Sequence, residues 1–396
     1  MRMMKGYWGL RTLAIAALGL LTFASNASAQ ETHDVSINYS GSVLIWPKVI
    51  WDGTHDTIIQ VANTGNPLVQ AHCFYINAAP RNPSLPPSVT NPPQWVETDF
   101  DIVLTRQQPT HWVASSGRRT QSDGFGVDGS GFDPGLIPPV PFGFQGELKC
   151  YQTDDSGSPL PGNRLKGEAT LRTDTGDVST YNAIALSGNA GLSGGQIGTV
   201  LDLNLTDGNP GGEYSACPDT LIFNHFAYGA LDPMLNPSLV NTATLGGAGA
   251  CSGNNCTITT TLTMVPCSQD LENGIPGSVT VGFLIYDEFE THLSASTTVT
   301  CWFNLPLNQI APAGPNNPFT PGALGGSFVR HTRIRPVPGN GGVLGIAEET
   351  RTTSAGNTAV AAYNLQIQGN RFDGATQGEN DAPAPGVTDQ IAIPIE

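Results

Sequence analysis

Apolar and polar residues alternate along most of this chain in short runs, each closed by Gly, Pro, Asn or Asp, and the period of two predicts β-strands. The runs are residues 42–51, 56–62, 68–77, 95–105, 143–152, 165–173 and 181–186. A second set follows at 257–265, 278–286, 297–304, 327–334, 343–350 and 359–368. Nowhere does an apolar period of 3.6 persist long enough to predict a long helix. This spacing of strands and turns predicts an all-β chain of sandwich or barrel type.

Landmarks recur between the two sets in the same order. Ile45-Trp46-Pro47 is echoed by Met264-Val265-Pro266, and Cys73-Phe74-Tyr75 by Cys301-Trp302-Phe303. Phe132-Asp133-Pro134-Gly135 returns as Phe319-Thr320-Pro321-Gly322, and Tyr181-Asn182 as Tyr363-Asn364. The expectation is an internal duplication: two tandem immunoglobulin-like β-sandwich domains at residues 30–190 and 216–396, joined by a Gly-rich linker at 191–215. The interval from Cys73 to Tyr181 exceeds that from Cys301 to Tyr363, which places an insertion in copy one, at the Pro-rich stretch 80–93 and the Gly/Asp loop 123–135.

The first 29 residues break the alternation. Arg2, Lys5 and Arg11 precede an apolar run from Thr12 to Phe23, then Ala27-Ser28-Ala29, the order of a secretory signal cleaved before Gln30. A secreted, periplasmic or cell-surface address is expected. No later run offers the roughly 20 apolar residues of a membrane helix, so no membrane insertion is expected. Export changes the charge picture too: removing three basic residues and no acid takes the net charge from −16 to −19. So acidic a chain is a poor partner for nucleic acid, whose phosphates attract basic faces. Cations, glycans or another protein surface remain, self-association included.

Seven cysteines in an exported chain predict disulfides, with at least one cysteine left unpaired or bonded to another chain. Cys251 and Cys256 bracket the turn-forming Ser-Gly-Asn-Asn, and a bridge there is worth roughly 2 kcal/mol in the chain-entropy model. Cys73 and Cys150 lie in strand-like runs, and their longer loop raises this to about 4 to 5 kcal/mol. Cys217, Cys267 and Cys301 have no assignable partner.

Candidate chemistry is sparse. Gly191-Leu192-Ser193-Gly194-Gly195 matches the G-x-S-x-G string, but that nucleophile needs a strand-to-helix elbow and this run has no helix after it, so it is expected to be linker. Glu97, Asp99 and Asp101 share one strand face by their spacing, as for a Ca²⁺ site, a glycosidase pair or a solvated face. Glu288, Glu290 and His292 are expected at a hairpin tip. Asp123, Asp128 and Asp133, in a Gly-rich loop, are candidate Ca²⁺ ligands although the loop departs from the EF-hand pattern; Ca²⁺ is the only cofactor suggested. Trp46, Trp51, Trp95 and Trp112 all fall in copy one and are candidates for stacking on sugar rings. His33 does not stand at the new N-terminus, where an oxidative copper site would need it.

The runs from Asp56 to Gly65 and from His72 to Tyr75 resemble the second and third strands of immunoglobulin-like modules in bacterial surface proteins. The stretch from Trp95 to Trp112 is similar to uncharacterised secreted bacterial proteins of no assigned activity. The resemblance implies structure and no catalytic residue. The expected function is accordingly non-enzymatic: a surface or adhesion protein, self-assembling by donation of an N-terminal strand drawn from Val35 to Ile45. The alternative is a glycan- or Ca²⁺-dependent binding module, and the third reading a hydrolase of extracellular polysaccharide.

Overall fold

Most of the alternating runs fold as strands close to their expected bounds, but 181–186, 297–304 and 359–368 each break across two strands that belong to different sheets. In the computed structural model, residues 35–82, 84–85, 91–118, 134–188, 218, 220–233, 257–267, 276–324, 328–337, 342–353 and 355–368 are described. The first half carries β1 (Val35–Ser36), β2 (Val43–Trp51), β3 (His55–Asn63), β4 (Val69–Asn77), β5 (Val96–Leu104), β6 (Pro109–Val113), β7 (Phe144–Thr153), β8 (Leu165–Thr173), β9 (Val178–Asn182) and β10 (Ile184–Leu186). The second carries β11 (Thr220–Phe226), β12 (Ala230–Leu231), β13 (Thr257–Pro266), β14 (Ser278–Tyr286), β15 (His292–Thr300), β16 (Phe303–Pro306), β17 (Val329–Pro336), β18 (Val343–Thr352), β19 (Thr358–Asn364) and β20 (Gln366–Gln368). Among the described residues helical structure is limited to two 3-10 turns, Leu307–Gln309 and Pro321–Leu324.

The strands form four antiparallel sheets. Their orders are β1-β10-β2-β7-β4-β5, β6-β3-β8-β9, β15-β14-β17-β11-β20, and β12-β13-β18-β19 with β16 beside β13. These small sheets are arranged as a four-bladed β-propeller, which replaces the two tandem immunoglobulin-like sandwiches expected above. The blades are not consecutive in sequence: the chain passes back and forth between the first and second sheets, then between the third and fourth.

The burial of β2 shows why separate modules fail. Leu44 and Trp46 join one apolar cluster with Ile59, Trp112 and Leu165 of the second sheet. Val43 and Ile45, on the opposite face, join Val265, Cys267 and Leu344 of the second half. An independent antiparallel module would leave that second face to water. A further cluster, around Phe283, Phe319, Leu262 and Ile334, fills the space between the third and fourth sheets. The described residues all fall within one compact unit.

Strand order nonetheless recurs: β10-β2-β7-β4-β5 reads like β20-β11-β17-β14-β15, and β6-β3-β8-β9 like β16-β13-β18-β19. By this order β2 matches β11, whereas the Trp46-Pro47 and Val265-Pro266 echo had matched it to β13. Cys301 lies just after β15 and is no counterpart of Cys73 in β4. Tyr181-Asn182 and Tyr363-Asn364 do fall on matching strands, β9 and β19, and they touch: the Asn182 N–H donates to Asn364 Oδ1 at 2.9 Å, and Asn364 Nδ2 donates to the Asn182 carbonyl at 2.7 Å.

Cys73 and Cys150 are cross-strand partners of β4 and β7 and form a disulfide. Cys267 is disulfide-bonded to a partner outside the described residues. Cys301 is a buried thiol, pushed up to about 11 by burial. The signal segment 1–29, His33, the linker 191–215 with its G-x-S-x-G string, Cys217, Cys251 and Cys256 also lie outside the described residues. No helix among the described residues is long and apolar enough to cross a membrane.

Candidate functional site: the cleft beside Trp51

The four tryptophans part company by burial. Trp46 is 0 % exposed and donates its indole N–H to the Glu168 carbonyl at 3.1 Å. Trp112 is 2 % exposed and donates to the Tyr75 hydroxyl. Both are core residues, so neither offers a ring face to a sugar. Trp95 is half-buried before β5, held at φ +50°. Trp51, the last residue of β2, keeps part of its ring in solvent and stands edge-on to Phe142, with centroids 5.8 Å apart at 88°. Phe142 is 74 % exposed.

Trp51 forms one wall of a cleft of about 250 Å³, with His55, Asp56, Arg172 and Asp174 around it. The tight β2–β3 connection builds this wall. Asp52 Oδ1 accepts from the backbone N–H groups of Thr54 (2.8 Å) and His55 (2.7 Å) and from the Thr54 hydroxyl (2.8 Å), the local bonding typical of an aspartate turn. Gly53 adopts φ +91°, and a Cβ there would stand 3.0 Å from the Phe142 ring. Burial pushes the Asp52 carboxyl up, but hydrogen bonds from His55 and Thr54 outweigh it and hold the group below the usual carboxylate range. Its second oxygen meets His55 Nδ1 at 2.9 Å. Pairing of β3 with β8 sets His55 opposite Thr173 and Asp56 opposite Arg172, bringing the far wall into reach.

His55, Arg172 and Thr173 also line a second cavity, of about 340 Å³, that runs inward between the two halves. Its polar wall includes Lys48, Asn304, Glu348 and Asp177. Lys48 is 8 % exposed and contacts the Glu348 carboxylate. Asp177 Oδ2 accepts from the Thr358 hydroxyl at 2.9 Å.

The acidic strand face of β5 does not gather into one site. Asp101 Oδ1 bonds His72 Nδ1 at 2.6 Å near the surface. Glu97 lies farther along the same face, its carboxyl pushed up by burial and by Asp99 against the pull of Lys149. Among the described residues no group of three or more His, Cys, Asp or Glu could hold a metal ion. Glu288 and Glu290 sit in the β14–β15 turn and His292 opens β15. Asp123, Asp128 and Asp133 lie outside the described residues.

Sequence reasoning singled out Trp51 but missed its companions Asp52, His55, Phe142 and Arg172. Asp52-Gly53-Thr54 is a readable turn signal; nothing in the chain ties it to Phe142 or Arg172, which meet it only after β2 pairs with β7 and β3 with β8.

No protein-family model matches this chain, and no curated protein matches it. Among solved structures, Thermotoga maritima 1070 is 8 % identical over 38 % of this chain and 98 % of its own, with a TM-score of 0.23. The Pleurotus ostreatus lectin in its apo form is 11 % identical over 84 % of this chain and 78 % of its own, with a TM-score of 0.17. Streptomyces avermitilis α-L-rhamnosidase complexed with L-rhamnose is 7 % identical over 85 % of this chain and 30 % of its own, with a TM-score of 0.16. Likeness this distant carries no argument about function.

Proposed function

We propose that this is a non-enzymatic extracellular binding protein whose Trp51 cleft takes a saccharide. One observation carries this reading: Trp51 lines a cleft ringed by charged hydrogen-bonding groups, whereas Trp46 and Trp112 are buried in the core. An indole face covers the apolar C–H face of a sugar ring, while carboxylates and a guanidinium satisfy its hydroxyls, the usual division of labour in ligand pockets. The Asp52 carboxylate is already bonded to Thr54 and His55, and Asp56 Oδ1 accepts the Thr57 N–H at 2.8 Å, so these acids orient the cleft's walls. The extracellular address follows from the signal pattern and agrees with the Cys73–Cys150 bridge.

Strand donation is not part of the proposal. The Val35–Ile45 segment is engaged within its own chain, Val35–Ser36 pairing with β10 and Val43–Trp51 lying between β10 and β7.

Titrating the protein with a panel of neutral, acidic and amino oligosaccharides, followed by tryptophan fluorescence and calorimetry, tests the reading. At least one class is expected to bind, and Trp51→Ala to abolish that binding while the fold persists. Binding that survives Trp51→Ala unchanged, or no binding across the panel, overturns it.

A further inference from the structure

The ladder between β2 and β7 slips between Trp46 and Val49, leaving Pro47 and Lys48 outside regular pairing. Such a bulge tolerates a proline, which has no N–H to donate, and re-aims the next side chain. The backbone here is fixed from two sides. Trp302 Nε1 donates to the Pro47 carbonyl at 2.7 Å, and the Tyr181 hydroxyl both accepts the Lys48 N–H at 3.2 Å and donates to the Lys48 carbonyl. The Lys48 side chain is thereby delivered from β2 into the second half. Its Nζ contacts Glu348 of β18 and stands 3.5 Å from Asn304 Oδ1 of β16. The same Asn304 oxygen accepts a 2.8 Å hydrogen bond from the Thr263 hydroxyl, which is fully buried.

An ion pair between two halves requires an amine and a carboxylate. Here a carboxamide lies beside the amine as well, with a hydroxyl donor on its oxygen. Nucleophile, electrophile, proton carrier and oxyanion donor therefore meet in one water-poor place. We propose that Lys48 and Asn304 become joined by an intramolecular isopeptide bond, formed by the protein on itself.

Glu348 takes a proton from the Lys48 ammonium, and the freed Nζ lone pair attacks Asn304 Cγ. As the N–C bond forms, the carbonyl π pair moves onto Oδ1, where the Thr263 hydroxyl stabilises it. Glu348 then delivers that proton to the carboxamide nitrogen, the original C–N bond breaks, and the leaving ammonia carries off as ammonium the second proton that the attacking nitrogen sheds on becoming the amide. The balance is amine plus primary amide to secondary amide plus ammonia, with no oxidant or reductant. The cavity that carries Lys48, Asn304 and Glu348 on its wall gives ammonia a way out. Folding supplies the rest, since holding the two groups in contact replaces a collision by a first-order step. The product ties β2 covalently to β16, across the two halves. This inference does not depend on saccharide binding.

Mass spectrometry of the full secreted chain decides it. Under reducing, denaturing conditions the chain is expected to be lighter by one ammonia. Because an N-terminal glutamine also loses ammonia on cyclising, the deciding readout is proteolysis: a branched peptide joining the Lys48 and Asn304 segments. Asn304→Ala should abolish the branch. Asn304→Asp should restore it with loss of water from the carboxylic acid in place of ammonia. Glu348→Gln should stop the reaction while near-ultraviolet circular dichroism shows the native fold retained. Separate, linear Lys48 and Asn304 peptides recovered in full from the natural chain overturn the proposal. A folded Glu348→Gln chain that still forms the branch overturns the assigned role of Glu348.

Discussion

The two halves share a strand order but fasten it by different means. In the first, the β4–β7 pair is bridged at its core face by Cys73–Cys150. In the second, the matching β14–β17 pair carries Phe283 opposite Ile334, an apolar contact inside its own cluster. The outer faces differ as well. The face of the first sheet that carries Val43 and Ile45 is covered by Val265 and Leu344, whereas β15 in the third sheet keeps Ser294, Ser296 and Thr298 exposed. On the same exposed face, Thr280 and Thr298 hydroxyls meet at 3.0 Å, and His331 meets Asn224 at 2.8 Å. A repeated topology thus leaves each half free to choose between covalent and packing restraint, and between a dry and a wet outer surface.

The sharpest break in this comparison is removal of the first half's bridge. Replacing Cys73 and Cys150 by Ala should cost about 4 to 5 kcal/mol, read by denaturant unfolding, because the bridge closes a loop of 77 residues' separation. In the second half Phe283→Ala should cost about 3 to 5 kcal/mol, since it removes a buried ring and leaves a cavity.

Acid should distinguish the halves next. Burial pushes His225 down to about 4, and its contacts suit the neutral ring: Nδ1 meets the Phe226 carbonyl at 2.9 Å and Nε2 the Thr332 hydroxyl at 2.8 Å. Because the unfolded chain takes up this proton first, the stability it contributes is fully present above about pH 6.5. It is lost as pH falls toward 4, by roughly 3 kcal/mol in total. His225→Gln should flatten that part of the stability–pH curve.

At the seam, Asn364→Ala deletes two hydrogen bonds to the Asn182 backbone and should cost about 1 to 2 kcal/mol in thermal unfolding. Least of all, Trp51→Ala should change stability by no more than about 1 kcal/mol, since part of the ring is already in solvent. Trp46→Ala, by contrast, should cost about 3 to 5 kcal/mol.

Much of the secondary structure was legible because a strand with one wet face must alternate. Residues 165–173 and 278–286 coincide with β8 and β14. The Cys73–Cys150 pairing was legible too, both residues lying in strand-like runs. The pairing of copies misled where it rested on Pro47 and Pro266: both prolines sit in strands with apolar neighbours, but on strands of different rank in their sheets. A better signal stood beside it. Val43-Leu44-Ile45-Trp46 is apolar without interruption, the mark of a strand buried on both faces, and it foretold that the first sheet would be covered by something else. Of the candidate site, Trp51 was visible only as one of four tryptophans; their burial separates them, and burial depends on which strands lie above and below.

By itself the sequence determined the all-β class, most strand positions and the turn at Asp52-Gly53-Thr54, because each depends on residues near in sequence or on local backbone preference. Tertiary structure alone decided that four sheets form one body instead of two modules. It also decided that Trp51 faces a cleft while Trp46 and Trp112 do not, and that Lys48, Asn304 and Glu348 meet. The last of these joins side chains far apart along the chain, 256 positions for Lys48 and Asn304 and 300 for Lys48 and Glu348. Strand periodicity specifies which way a residue points but not which sheet it will face.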